Sequence, residues 1–437
     1  MMYLPMEGYM NIINTLNMIL DFLDNKVLFF IKKENVERFF KNSWILAFLI
    51  VSFFKPGSIL GLVLYKPYTW ILTLNSIWQI CQALSAVIIV IGFIKVGRFN
   101  KFNTVFSFMI LGLMISTVLN NNSFIRLIML VITPISLVLL LDIVRDQDMF
   151  DPFVKIMFVY HAFLIILNLV LMVTVKQGLY TDYRGRSDHW IFGNYQQNLN
   201  WYVVALATGG ILLNKIKNQT KQKRNFICVY ATTIIAMVVS TLMVWSATTL
   251  ASLFIIAVVL IFTYLRPKSE KVLNGLNALF ASIAATFAFA VLKIQYLFSF
   301  IIVKVLKKSL DFNDRSQMWD KAIYYFKKKP LFGYGFENPQ LTVEKLSKET
   351  PHNHYLNTIY VGGLAYLLGT IALAIVSFKE MRQARAHKVT IHTSAVLCGY
   401  FVYFIAEAKT NIGVLVLLLG IGYYTHSIIS QMNIECE

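Results

Sequence analysis

The sequence predicts an all-α polytopic membrane protein, with about twelve transmembrane helices and one large extracytoplasmic loop containing short helices. Three observations lead there. Of 437 residues, 57% are hydrophobic and only 14% charged, where soluble domains carry about a quarter charged. The mean hydropathy is +0.62. Long apolar runs recur, while the short alternating segments of a transmembrane barrel are missing.

A span needs about twenty apolar residues. Runs set against breakers place spans near 43–64, 70–94, 104–119, 123–142, 153–175, 198–214, 226–245, 247–265, 274–294, 356–377, 392–408 and 410–430, the first interrupted at Lys55-Pro56-Gly57. Residues 1–42 precede them as a cytoplasmic or interfacial segment. The run at 10–31 carries Asp21 and Asp24. A charge at the bilayer centre costs about 2.5–3.5 kcal/mol, so this run reads as an interfacial helix. The chain then divides into 43–303, with nine spans and an outer loop at 176–197; the large loop 304–355; and 356–437, with three spans and a short tail.

The formal net charge of +18 sits mainly in connectors. Lys32, Lys33, Arg38, Lys95, Arg98, Lys215, Lys221, Arg266, Lys268, Lys379 and Arg382 all fall on one side if the spans alternate as counted. The positive-inside bias makes that side the cytoplasm, and no nucleic-acid partner is needed to explain the charge. The loops 176–197 and 304–355 are then outside. No cleaved signal peptide is expected. Cys81, Cys228, Cys398 and Cys436 are scattered and form neither a metal pattern nor a disulfide framework.

Within the large loop, Asp314 followed by Gln317 reads as a capping box, and Trp319, Ile323 and Phe326 give one apolar helical face. Lys327, Lys328 and Lys329 suit the end of that helix, and Pro330 stops it. Gly333 and Gly335 permit a tight turn with close backbone approach. A second short helix fits 339–349. His352 and Asn353 arrive at the mouth of the next span.

Three pieces of this loop form a pattern: Asp314-Arg315-Ser316-Gln317-Met318-Trp319, Pro330-Leu331-Phe332-Gly333-Tyr334-Gly335, and His352-Asn353-His354-Tyr355-Leu356 followed by Gly362-Gly363. This pattern resembles the O-antigen ligase and O-antigen polymerase superfamily. The shorter outer loop adds Arg184-Gly185-Arg186, Phe192-Gly193-Asn194 and Asn198, which resemble the family's Arg and Phe-Gly-Asn ahead of a span, with Tyr195-Gln196-Gln197 in place of a shorter Pro-Asn.

The resemblance implies a glycosyltransferase outside the cytoplasmic membrane of a bacterium. Its donor is a glycan on a polyprenyl diphosphate, its acceptor is a glycan hydroxyl, and it needs no cofactor or metal. Such chemistry requires a base, cations for the diphosphate, and a lipid-lined cleft. His352 is the candidate base, since histidines ordinarily titrate near neutrality; its alternative is capping a loop. Arg315 and Arg186 are candidate diphosphate clamps, with Arg184 second, because the planar guanidinium pairs phosphate oxygens bidentately. Arg126, near the outer end of the fourth span, either joins that group or snorkels to lipid phosphate. Glu407, Asn353 and Asn198 are candidate acceptor contacts; Glu407 could instead pair with Lys409. His354, His161 and the tryptophans Trp190, Trp201 and Trp245 read as structural, the tryptophans as interface anchors. Expected partners are the lipid-linked glycan, an acceptor glycan and membrane lipid, with a chain-length regulator and a flippase as further candidates. Polymerisation of repeat units leads, ligation of a finished glycan to a lipid or protein is its alternative, and a lipid-linked oligosaccharide transporter is the rival from another class.

Overall fold

The computed structural model describes residues 6–28, 30–181, 188–216, 220–297, 315–384, 387–408 and 412–434. α1 (Met6–Lys26) and α2 (Lys33–Phe40) precede a bent pair, α3 (Ser43–Ser52) and α4 (Gly57–Tyr65). Four long helices follow: α5 (Thr69–Val96), α6 (Lys101–Leu119), α7 (Phe124–Asp146) and α8 (Phe150–Thr174). A two-stranded antiparallel ribbon, β1 (Tyr180–Thr181) with β2 (Asp188–His189), leads to α9 (Asn198–Lys215), α10 (Lys221–Met243), α11 (Ala247–Leu265) and α12 (Gly275–Ala290). Two short helices, α13 (Arg315–Lys328) and α14 (Pro339–Leu346), belong to the large loop. α15 (His354–Met381), α16 (Lys388–Ala406) and the bent pair α17 (Gly413–Tyr423) and α18 (Thr425–Gln431) complete the chain.

Every expected apolar run is a helix or a bent pair, yet fewer qualify as spans. Among the described residues eight helices are long and apolar enough to cross a membrane, and ten spans result if the bent pairs α3–α4 (45°) and α17–α18 (63°) each count once. The expectation of about twelve is not confirmed: α9 and α12 are not among those that qualify. α9 carries Asn198, Asn200, Asn214 and Lys215, and α12 has only 16 residues, about 24 Å of helix against about 30 Å of hydrocarbon. The break after α3 falls at Pro56, which has no N–H to continue a helix.

α16 and α17 occupy the centre, almost wholly buried. α16 packs against α9, α11, α12, α15 and α17, and α15 against α6. α5 exposes Ile77, Ile80, Leu84 and Val87 along one side, an apolar stripe at helical spacing facing outward as lipid contact requires. The connectors gather at two ends. At one, Arg98 pairs with Asp21 at 2.9 Å and Lys95 with Asp24, so the two acids of α1 meet basic partners at the foot of α5. Nearby, buried Asp142 of α7 accepts from the Asn100 amide at 2.6 Å and from Asn103 and Tyr424, tying α6, α7 and α17 together with its oxygens satisfied. At the other end lie the α3–α4 break, the ribbon, the large loop and the α16–α17 turn.

Candidate active site

The Pro330–Gly335 turn is built into a gap in a helix. α15 leaves helical geometry at Gly363, whose φ is 63° and ψ −160°. The groups freed there are met by the turn. Tyr334 N–H donates to Tyr360 O at 2.9 Å and Gly335 N–H to Val361 O at 2.7 Å, while Leu364 N–H donates to Pro330 O at 2.8 Å and Ala365 N–H to Leu331 O at 3.1 Å. Such mutual pairing is what buried backbone demands. It works only at very close approach: a Cβ on Gly333 would lie 2.5 Å from Tyr360 O, and one on Gly363 2.4 Å from Leu331 O. Asn120 and Asn122, following α6, donate to Gly333 O and Tyr334 O and hold the turn from outside.

α13 carries the next layer. Its buried face is Ser316, Met318, Trp319 and Ala322, with Ile323 and Phe326 half-buried. Asp314, the expected cap, lies outside the described residues. Lys293, beyond α12, reaches Ser316 Oγ at 3.0 Å and Asp320 at 2.7 Å, fixing α13 along its length. Arg315 and Trp319 stand one turn apart on the same side. The Trp319 indole N–H donates to Pro351 O at 3.0 Å, so the helix that carries Arg315 also grips the backbone just before His352. His352 itself has φ +49°, a left-handed conformation that is uncommon outside glycine and that collects at functional sites.

These two residues meet at a third. Glu407, at the end of α16, places Oε1 3.6 Å from Arg315 Nη2 and Oε2 3.8 Å from His352 Nδ1. Its side chain is 7% exposed, against 23% for Arg315 and 32% for His352. His352 and Glu407 stand on the wall of a cavity of about 930 Å³; Arg315 stands behind Glu407. Arg126 lines the same cavity, with its Nη1 on Glu337 O. Arg184 and Arg186 fall between β1 and β2, outside the described residues, as does Lys409.

Asn353 caps α15 by accepting from Leu356 N–H at 3.0 Å and donates to Thr286 Oγ1 at 3.0 Å and Ile405 O at 2.8 Å. Asn198 is buried in the first turn of α9. Neither is on the cavity wall, which takes Asn194, Gln196, Gln197 and Asn200 from the same segment. His354 packs its ring 4.1 Å from that of Phe404. His161 Nδ1–H donates to Met157 O, 2.7 Å away, inside the core. Trp201 stacks on Phe192 at 4.9 Å and lines the cavity.

Two residues went unrecognised in the sequence. Glu337 sits on the cavity wall with its carboxylate on Lys345 and accepting from Tyr360 O–H at 2.7 Å. It is the only acid between Asp320 and Glu344, a faint signal. Burial raises the nearby Tyr334 phenol, against the opposing Lys328 charge, so the ring stays neutral beneath the Lys345 ammonium 4.3 Å from its centre. Lys55, in the α3–α4 break, lines the cavity and donates to Asn75 Oδ1 at 2.9 Å; the sequence marked it only as an interruption. The one Asp-x-Asp triplet, Asp146-Gln147-Asp148, lies at the opposite end of the bundle, where Asp146 pairs with Arg145. Among the described residues no three His, Cys, Asp or Glu side chains converge as a metal site would need.

Residues 232–371 match the family model described as O-antigen ligase. No curated protein matches the chain. The matched stretch contains Arg315, the Pro330–Gly335 turn, His352 and the Gly363 break, the pieces that the fold assembles beside the cavity. Over residues 232–371 this multi-pass helical membrane protein is thus similar to the O-antigen ligase family.

Proposed function

We propose that the protein transfers a glycan from a polyprenyl diphosphate to an acceptor sugar hydroxyl on the extracytoplasmic face of the membrane, polymerising repeat units of a surface polysaccharide. Attachment of a finished glycan to a lipid or protein acceptor uses the same chemistry and is the alternative. The observation that carries the proposal is the meeting of Arg315 and His352 at Glu407, two motif residues from separate elements brought together beside a cavity of about 930 Å³. That volume is at the upper end of ordinary ligand pockets, about 300–1,000 Å³, and suits an oligosaccharide.

His352 takes the proton of the acceptor hydroxyl. The hydroxyl oxygen forms a bond to the anomeric carbon, and the bond from that carbon to the diphosphate oxygen breaks, its electron pair leaving with the lipid diphosphate. Arg315 and Arg126 hold the departing charge, with Arg186 and Arg184 as further candidates. The amides of Gln197 and Asn200 and the face of Trp201 offer hydrogen bonds and an apolar surface to sugar rings. The apolar residues Met129, Leu130 and Leu137 of α7 on the cavity wall suit the first isoprenyl units of the donor. No step calls for a metal.

Replacing His352 by Ala removes the base, an effect of about 10²–10⁴-fold on rate. The expected outcome in cells is loss of the polymer ladder on a gel at normal protein level. A normal ladder rejects the base assignment. For a ligase the same variant would leave the free lipid-linked chain intact and abolish its transfer.

A further inference from the structure

We infer that Glu407 is a positioning carboxylate shared between Arg315 and His352 before the donor binds, and handed to His352 when a lipid diphosphate takes Arg315. The inference rests on the glycan-transfer reading above and concerns how its base is set.

Both contacts of Glu407 are longer than a hydrogen bond, 3.6 Å to Arg315 Nη2 and 3.8 Å to His352 Nδ1, and each uses a different oxygen. The carboxylate is thus stretched between two partners and closed on neither. It is nearly buried, while Arg315 and His352 keep some exposure. A buried carboxylate without partners is costly, so a change at one partner is answered by the other. A diphosphate offers Arg315 more negative charge and a bidentate match than a single carboxylate oxygen does. Once the guanidinium turns to the donor, Glu407 closes on the ring nitrogen that already faces it. Nδ1 then carries the hydrogen, Nε2 presents its lone pair to the cavity, and the carboxylate stabilises the imidazolium that forms on proton uptake, as in a carboxylate–histidine pair. The base is completed only after the leaving group is held.

This role is separable from a sugar contact and from a merely structural one. Glu407→Gln keeps the shape and removes the charge. Protein in nanodiscs is titrated with sugar-free polyprenyl diphosphate, and transfer is measured in membranes at saturating lipid-linked donor from the native host. Glu407→Gln is expected to bind polyprenyl diphosphate as tightly as the parent or tighter, because Arg315 is released, while transfer at saturating donor falls about 10²-fold. Arg315→Ala is expected to weaken that binding at least tenfold. If Glu407→Gln weakens diphosphate binding as Arg315→Ala does, or raises only the acceptor concentration needed while saturated transfer is unchanged, the inference is overturned. Should Glu407→Gln fail to fold, Glu407→Asp answers the same question: it retains binding and loses saturated rate, and an unchanged rate rejects the inference. Full transfer by His352→Ala would instead sink the underlying reading, whatever Glu407→Gln does.

Discussion

Trp319 shows how little separates a packing residue from a functional one. Its indole N–H to Pro351 O, at 3.0 Å, is a single hydrogen bond worth about 0.5–1.5 kcal/mol net, small for stability. Its position gives it more consequence, since Pro351 precedes a His352 held at φ +49°, a conformation that surroundings must enforce. Trp319→Phe keeps most of the buried ring and loses that bond. We expect the thermal midpoint in detergent to move by only a few degrees while transfer falls about tenfold, because small misplacements of a reacting group cost rate steeply. A variant as active as the parent would show that His352 is held without this bond. At this scale Arg315 and His352 were legible in the sequence through the family pattern. Glu407 was legible only as an acid at the end of a span, since nothing in the chain ties residue 407 to residue 352 until α16 and α15 pack. The acceptor readings of Asn353 and Asn198 came from motif position alone, and neither residue lines the cavity.

At the scale of elements, the Pro330–Gly335 turn and the break in α15 are one unit, each supplying the backbone partners the other lacks. The sequence showed a glycine-permitted turn and, separately, a Gly362-Gly363 pair inside an apolar run. That the first fills the second was invisible, because a helical period gives no sign of one non-helical residue within it. Glycine is required at Gly333 and Gly363 on two counts, a φ near +62° and a backbone oxygen within about 2.5 Å of any Cβ. Gly363, at φ 63° and ψ −160°, lies in a region essentially restricted to glycine, where another residue costs about 1–3 kcal/mol, and the clash would push the turn out of the gap, leaving four buried backbone pairs unmade. Gly363→Ala is therefore expected to lower the folded yield in detergent, or the thermal midpoint by ten degrees or more. Gly112→Ala serves as control, because a Cβ there meets Ala365 Cβ at an ordinary 3.7 Å. Equal behaviour of the two variants would mean that the gap tolerates widening.

Over the whole molecule, helical class and the order of apolar segments were legible, while the number of spans is not confirmed, since eight to ten qualify among the described residues. Run-counting treats α9 and α12 like the others, although one has polar ends and the other is short, and both are shielded by packing against α16. α9 nonetheless runs from Asn200 on the cavity wall to Lys215 at the far end, and the charge pattern holds. Lys95, Arg98 and Lys215 stand at one end of the bundle, paired with Asp24, Asp21 and Asp151, and the cavity opens at the other. If the positive-inside bias governs insertion, the cavity end faces outward, as transfer from a translocated lipid-linked donor requires. In a variant whose native cysteines are replaced by serine, single cysteines report each end. Glu349→Cys, exposed beside the cavity, is expected to react with a membrane-impermeant maleimide in intact cells, and Lys268→Cys, exposed between α11 and α12, only after permeabilisation. The reverse pattern would put His352 on the cytoplasmic side and remove the extracytoplasmic reaction from consideration, leaving the family relationship and the Glu407 geometry standing without it.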